Sequence, residues 1–294
     1  MADSSGRPDG PAASVRLGVL QLDPEQAPPL ARLPDRLEDL ADQGARVILL
    51  PEFWNATFDG GRLARGTLED EGALSPLLAW SARRPGLLLC PGSLPLRLRD
   101  ARTPALANRT WLIQDGRILA RYDKLHLFGP MGEPAWVRAG DTPCVADLVM
   151  DGKRLRVGLA ICYDLRFPEL FRDLAARGAE LVLLPAQWPR ARHLAFHHLL
   201  RARAMENGIT VAGANRLGRS GNTAFDGGSA AYGMGDGHVF LEPLYDREGA
   251  VVDLDLAAVR QERAGLDAVA DRRYGLMPPG GGSEAARGGT GASP

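Results

Sequence analysis

An α/β fold, with two sheets packed face to face and helices outside, is what this chain predicts, and three observations carry it. Near-continuous apolar runs at Arg46–Phe53 and Leu181–Pro185 read as strands covered on both faces. Segments with helical spacing alternate with those runs, as βαβ units require. Asp115-Gly116 and Asp151-Gly152 mark tight hairpin turns between further strands. Long βα units mixed with hairpins point to packed sheets with helices on the outer faces.

Taken in order, Val15–Leu22 reads as a strand, and Leu33–Ala45 carries apolar Leu33, Leu37, Leu40 and Ala41 at helical spacing, ending at Gly44. After the run at Arg46–Phe53, Leu74–Arg84 reads as a helix stopped by Pro85-Gly86. Leu87–Leu98, Asn108–Gln114 and Arg117–Lys124 read as strands. Pro168 suits the first turn of the next helix, Glu169 suits its positive end, and Gly178 can end it. Leu181–Pro185 is a strand, His193–Asn207 a helix ended by Gly208, and Ile209–Asn215 another strand. Short hairpins and a C-terminal tail at Leu254–Arg263 follow.

Composition bounds the rest. The 294 residues suffice for one large domain, and 45% apolar content supplies a core. Residues 15–277 read as one folded body without an internal linker. Residues 1–14 and 278–294, rich in Gly, Ser, Pro and Ala, read as unstructured tails. Lys plus Arg at 35 against Asp plus Glu at 36 gives a net charge of −1, which points to neither nucleic acid nor an anionic membrane. No apolar run approaches the roughly 20 residues of a membrane span, and the N-terminus lacks the pattern of a secretory signal. Three cysteines, Cys90, Cys144 and Cys162, argue for a reducing, cytoplasmic setting rather than a disulfide framework.

The chemistry is concentrated where apolar strands stop. Cys162 ends the run Arg156-Val157-Gly158-Leu159-Ala160-Ile161 and opens the polar turn Tyr163–Glu169, the place where an α/β protein presents a nucleophile. Glu52 follows Val47–Pro51, and Lys124 follows Arg117–Asp123. A thiol, a carboxylate and an ammonium at the C-terminal ends of strands are what amide hydrolysis needs. The thiolate attacks. The carboxylate takes the proton and returns it to the leaving amine. The ammonium lowers the thiol pKa and holds the oxyanion.

Leu50-Pro51-Glu52-Phe53, Tyr122–Phe128 and Ile161–Leu170 resemble, in order, the three signature segments of the nitrilase superfamily of carbon–nitrogen hydrolases. Pro185–Pro189, Leu200–Asn207 and Gly213–Gly218 resemble its ω-amidase branch. That resemblance implies a four-layer αββα sandwich that usually dimerises, without metal or organic cofactor. It implies a small-molecule partner, the terminal amide of a dicarboxylic acid monoamide such as 2-oxoglutaramate or 2-oxosuccinamate. It puts the catalytic glutamate, lysine and cysteine on Glu52, Lys124 and Cys162, and a second glutamate on Glu133. The Tyr163 N–H becomes the oxyanion donor, and Arg166 aligns with an arginine that contacts a substrate carboxylate in some relatives. Gln187 and Trp188, just past a strand end, are expected to line the pocket. Two departures, at Ser229–Met234 and Gly208, bear on the dimer surface and the pocket rim.

Plainer readings stand beside these. Arg166 could instead anchor its turn through Glu169 or Asp164. His193 and His197 have a spacing that metal sites use, but without an intervening Glu they read as packing residues, as does His126. Cys90 and Cys144 read as packed in strands. A carbamoyl group or a nitrile could be processed by the same three residues, and an idle scaffold is the reading from another class.

Overall fold

The computed structural model describes residues 10–59, 62–100, 104–235 and 238–273. Strands β1 (Ser14–Leu20), β2 (Val47–Leu49) and β5 (Leu88–Cys90) run parallel in a first sheet; the short hairpin β3–β4 (Thr57–Asp59, Arg62–Arg65) stands apart. Hairpin strands β6 (Ser93–Arg97), β7 (Leu106–Gln114) and β8 (Arg117–Asp123) extend that sheet. The second sheet has parallel β10 (Lys153–Leu159), β11 (Leu181–Ala186) and β12 (Thr210–Asn215), with β9 (Cys144–Met150) antiparallel at one edge. Beyond β12 lie β14 (Thr223–Tyr232) and its neighbours β13 (Leu217–Ser220) and β15 (Val239–Tyr245). The late strand β16 (Gly249–Asp255) returns to the first sheet and pairs with β1 along its length.

Parallel neighbours need crossovers. Helix α1 (Leu33–Asp42) joins β1 to β2 and α2 (Ser75–Ala82) lies between β2 and β5; α3 (Pro168–Ala176) and α4 (His193–Asn207) do the same for β10, β11 and β12. A short α5 (Leu256–Gly265) follows β16, capped by the Asp255 side chain.

Two-residue alternation sorts the apolar side chains into layers. Val47, Leu49, Leu88 and Cys90 face a core shared with Val157, Leu159, Leu181 and Leu183 of the second sheet. Ile48, Leu50 and Leu89 point the other way, against Leu37 and Leu40 of α1 and Leu77 and Trp80 of α2. The strands therefore read as continuous apolar runs because both faces are covered, giving helices, sheet, sheet and helices in succession.

Four details differ from the sequence reading. Leu87–Leu98 is two strands, because the chain bends at Pro91-Gly92; Gly92 has φ of +75° and a Cβ there would lie 2.1 Å from the Pro51 carbonyl oxygen. The strand β9 went unread, and Leu254 belongs to a strand rather than to a tail. The expected N-terminal tail is too long as well. Pro11 bridges to Arg154, Ala12 donates its N–H to the Arg154 carbonyl at 2.9 Å, and Ala12 is buried. The rest of that tail and residues 278–294 lie outside the described residues. Among the described residues, no helix is long and apolar enough to cross a membrane.

Candidate active site

Cys162 stands three residues past β10, at the start of a 3-10 turn over Cys162–Arg166. Its φ of 46° places a non-glycine residue in the left-handed region, a conformation that costs about 1–3 kcal/mol and persists only where the surroundings enforce it. Asp164 does the enforcing. Its carboxylate, fully buried, accepts from the Ile161 N–H at 2.9 Å, the His126 N–H at 3.0 Å and the Tyr122 hydroxyl at 2.7 Å. The His126 ring lies 2.8 Å from the same carboxylate and stacks on Phe167. One acidic side chain thus ties the Cys162 turn to the segment carrying Lys124.

Glu52 lies three residues past β2, bridged to Ser93, and its N–H reaches across to the Ala186 carbonyl of the other sheet at 3.3 Å. The next residue, Phe53, is also left-handed, with φ of 51°. Lys124 follows β8, with its N–H on the Asn108 carbonyl and its carbonyl accepting from Gly140. A Cβ on Gly140 would lie 2.3 Å from the Asp123 carbonyl oxygen, so only glycine lets the chain pass there. Glu133 opens a 3-10 turn in the loop that follows, its carboxylate held by the Phe128 N–H at 2.6 Å.

These segments bring the side chains together. Lys124 Nζ donates to Glu52 at 2.9 Å and to both Glu133 oxygens at 2.9 and 3.2 Å. Asn108, fully buried on β7, donates from one amide nitrogen to Glu52 at 2.8 Å and to Glu133 at 3.0 Å. Glu52, Lys124, Glu133 and Cys162 are all buried and line one cavity with Tyr163, Arg166, Gln187 and Trp188. Every site residue expected from the sequence borders this cavity.

Burial sets the proton positions. Desolvation raises the Glu52 pKa above the ordinary glutamate value; Lys124 pulls it down and Glu133 pushes it up, with the net shift upward. Burial would depress the Lys124 pKa, but the facing Glu52 and Glu133 outweigh it and hold the ammonium charged. The thiol of Cys162 is pushed well up, first by burial and then by Glu52, with Lys124 opposing. The lowering expected from Lys124 is present but is outweighed by burial and by Glu52. Lys124 serves two carboxylates, and the resting sulfur is a neutral thiol. Cys90 is also raised, to about 12 by burial, and it packs beside Thr110.

The far wall is built by the loop between β11 and α4, with Gln187, Trp188, Pro189 and Arg192. Asn215 at the end of β12 exchanges two hydrogen bonds with the Trp188 backbone, at 2.7 and 2.9 Å. Arg216, almost fully buried, donates to Gln187 Oε1 at 2.8 Å and lies over the Phe225 ring. Burial lowers its pKa to about 10, against the pull of Asp23. Arg166 makes no ion pair with Glu169 or Asp164; its guanidinium lies over the Trp188 ring, 5.1 Å from the centroid. His193 and His197 pack as read: the His193 ring stacks on Tyr245, its Nε2 is 3.1 Å from Asp226, and His197 Nε2 is 3.1 Å from the Tyr245 hydroxyl. Asn108, Asp164, Asn215 and Arg216 went unread as site residues. Asn108 is followed by polar Arg109 and Thr110, so nothing local singled it out.

A double-sheet α/β sandwich with a carboxylate, an ammonium and a thiol at its seam defines a member of the nitrilase superfamily. More narrowly, the family model of carbon–nitrogen hydrolases matches residues 12–264, and the chain belongs to that family of hydrolases. A 2-oxoglutaramate amidase of Paenarthrobacter nicotinovorans is 31% identical over 280 residues, covering 93% of this chain and 92% of that protein. A hydrolase in the agr operon of Staphylococcus lugdunensis is 32% identical over 228 residues, covering 77% of this chain and 94% of that one. Among solved structures, a mutant amidase from Nesterenkonia sp. AN1 carries the acetamide moiety of fluoroacetamide covalently added at its active site cysteine. It matches with a TM-score of 0.69 at 31% identity, covering 90% of this chain and 95% of that one.

Proposed function

We propose that this protein hydrolyses the terminal amide of a small dicarboxylic acid monoamide, of the 2-oxoglutaramate or 2-oxosuccinamate kind, through a thioester on Cys162. The observation that carries the reading is the contact of Lys124 with both Glu52 and Glu133 on the floor of the cavity that holds the thiol. The relative acting on 2-oxoglutaramate and the neighbour modified at its cysteine support it.

Glu52 removes the Cys162 proton as sulfur attacks the amide carbon. Its pKa, raised by burial, makes the ionised carboxylate a stronger base than an exposed glutamate. The oxyanion is held by Lys124 and by the Tyr163 N–H, at the start of a 3-10 turn whose first N–H groups have no partner within the turn. Glu52 passes its proton to the nitrogen, ammonia leaves, and a thioester remains. Glu52 then takes a proton from water, whose oxygen attacks the acyl carbon; the carbon–sulfur bond breaks, and the thiol regains its proton. Glu133 and Asn108 position Lys124 and Glu52. Arg166 binds the far carboxylate.

The test is ammonia release over 2-oxoglutaramate, succinamate, carbamoyl amino acids and aliphatic nitriles, with intact-mass detection of the acyl-enzyme. Wild type is expected to favour the monoamides, and Cys162→Ala to release no ammonia and gain no acyl mass. Carbon dioxide from the carbamoyl substrates at a higher rate, or turnover by the alanine variant, would overturn the reading.

A further inference from the structure

The mouth of the cavity carries positive charge that the chain leaves without a counter-ion. Arg166 lies over the Trp188 ring. Arg192, at the end of the turn Arg190–Arg192, lines the same cavity, and its backbone carbonyl accepts the Trp188 indole N–H at 2.9 Å. One buried indole therefore fixes both arginine-bearing segments relative to the thiol. Neither guanidinium has a carboxylate partner among the described residues. The contrast with Arg190 is informative: two residues from Arg192, it is paired with Asp226 at 3.2 Å. The carboxylates of the cavity, Glu52 and Glu133, are both engaged by Lys124. Gln187 turns its carbonyl oxygen toward Arg216, which leaves its amide N–H groups as the free end of that side chain. The outer half of the cavity is thus furnished with donors and cations.

We propose that Arg192 is a second anchor for the substrate's far carboxylate, acting with Arg166, and that it sets the preference for acyl chains ending in an anion. The proposal rests on the dicarboxylic monoamide reading and deepens it. A carboxylate presents acceptor oxygens to two guanidiniums, the arrangement for which arginine is suited. A neutral chain of equal length gains nothing there. An ammonium at the same place meets like charge, so amino acid amides are disfavoured against their amine-free counterparts.

The experiment compares succinamate with butyramide, a neutral amide of the same chain length, in wild type, Arg192→Gln, Arg192→Lys and Arg166→Gln. The quantity read is the ratio of kcat/KM for the two amides. Losing one charged hydrogen-bonding partner is expected to lower that ratio about 10- to 100-fold, through KM rather than kcat. The lysine variant keeps part of the preference, and added salt weakens it. A second readout does not depend on turnover: the rate at which iodoacetate alkylates Cys162, relative to iodoacetamide, falls in Arg192→Gln. An unchanged ratio in Arg192→Gln, or an equal loss on both amides, would overturn the assignment while leaving the monoamide reading intact. Equal use of both amides by the wild type would instead overturn the monoamide reading and the anchor with it.

Discussion

Tyr122 donates its hydroxyl hydrogen to Asp164 across 2.7 Å, joining the last strand before Lys124 to the turn that begins at Cys162. Both groups are buried. Removing the hydroxyl takes one of several donors from the Asp164 carboxylate; removing the carboxylate orphans every group that it holds. Tyr122→Phe is therefore expected to cost about 1–2 kcal/mol of stability and Asp164→Ala at least about 3 kcal/mol. Urea unfolding measures both. An Asp164→Ala variant as stable as Tyr122→Phe would show that the turn does not depend on this carboxylate.

Lys124 carries the positive charge between two buried carboxylates. Taking it away leaves an uncompensated pair, worth about 3–5 kcal/mol. Lys124→Met is expected to lose activity and stability together. Adding Glu133→Gln should restore much of the urea midpoint without restoring turnover. A single variant with a wild-type midpoint would contradict this account.

The pH profile follows from Glu52. Its folded pKa is raised above the usual 4.5, chiefly by burial. Its contribution to stability is therefore complete below the unfolded value and is lost as pH rises through the folded one. The base form appears only above the folded value, so the acid limb of kcat/KM is expected above pH 4.5. Asn108→Leu removes a donor to the ionised carboxylate and should move the limb further up while lowering kcat. A limb that moves down in this variant would sink the assignment.

A separate acid sensitivity resides at α4. Burial lowers the His197 pKa from 6.5 to about 4, with His193 and His198 adding like charge. A depressed histidine contributes stability above its unfolded pKa and loses it as pH falls from 6.5 toward 4. Wild-type Tm is expected to fall between pH 7 and pH 5, and the fall to shrink by about 2–4 °C in His197→Gln. Parallel curves would place the sensitivity elsewhere, with Asp226 and His193 as the facing groups.

The extent to which the site was legible depends on how far each role is local. Cys162 and Glu52 were readable because each ends an apolar run, and Lys124 because it follows the strand Arg117–Asp123 within a short recognisable segment, patterns carried by a few adjacent residues. Helix α4 was read to its bounds because Gly208 ends it in the left-handed conformation. Strand β9 was missed because its edge position leaves it half exposed and without a continuous apolar stretch. Asn108 and Asn215 act through residues from other strands, and Arg192 matters only because Trp188 and Arg166 share its cavity. No spacing along the chain encodes such meetings.

The pairing of β1 with β16 has a consequence for biosynthesis. β1 leaves the ribosome well before β16. Until Gly249–Asp255 emerges, the N–H and C=O groups along one side of Ser14–Leu20 stand open as a template for a neighbouring polypeptide. A stop codon ahead of Gly249 would leave every residue around the thiol encoded and still yield a product prone to clump.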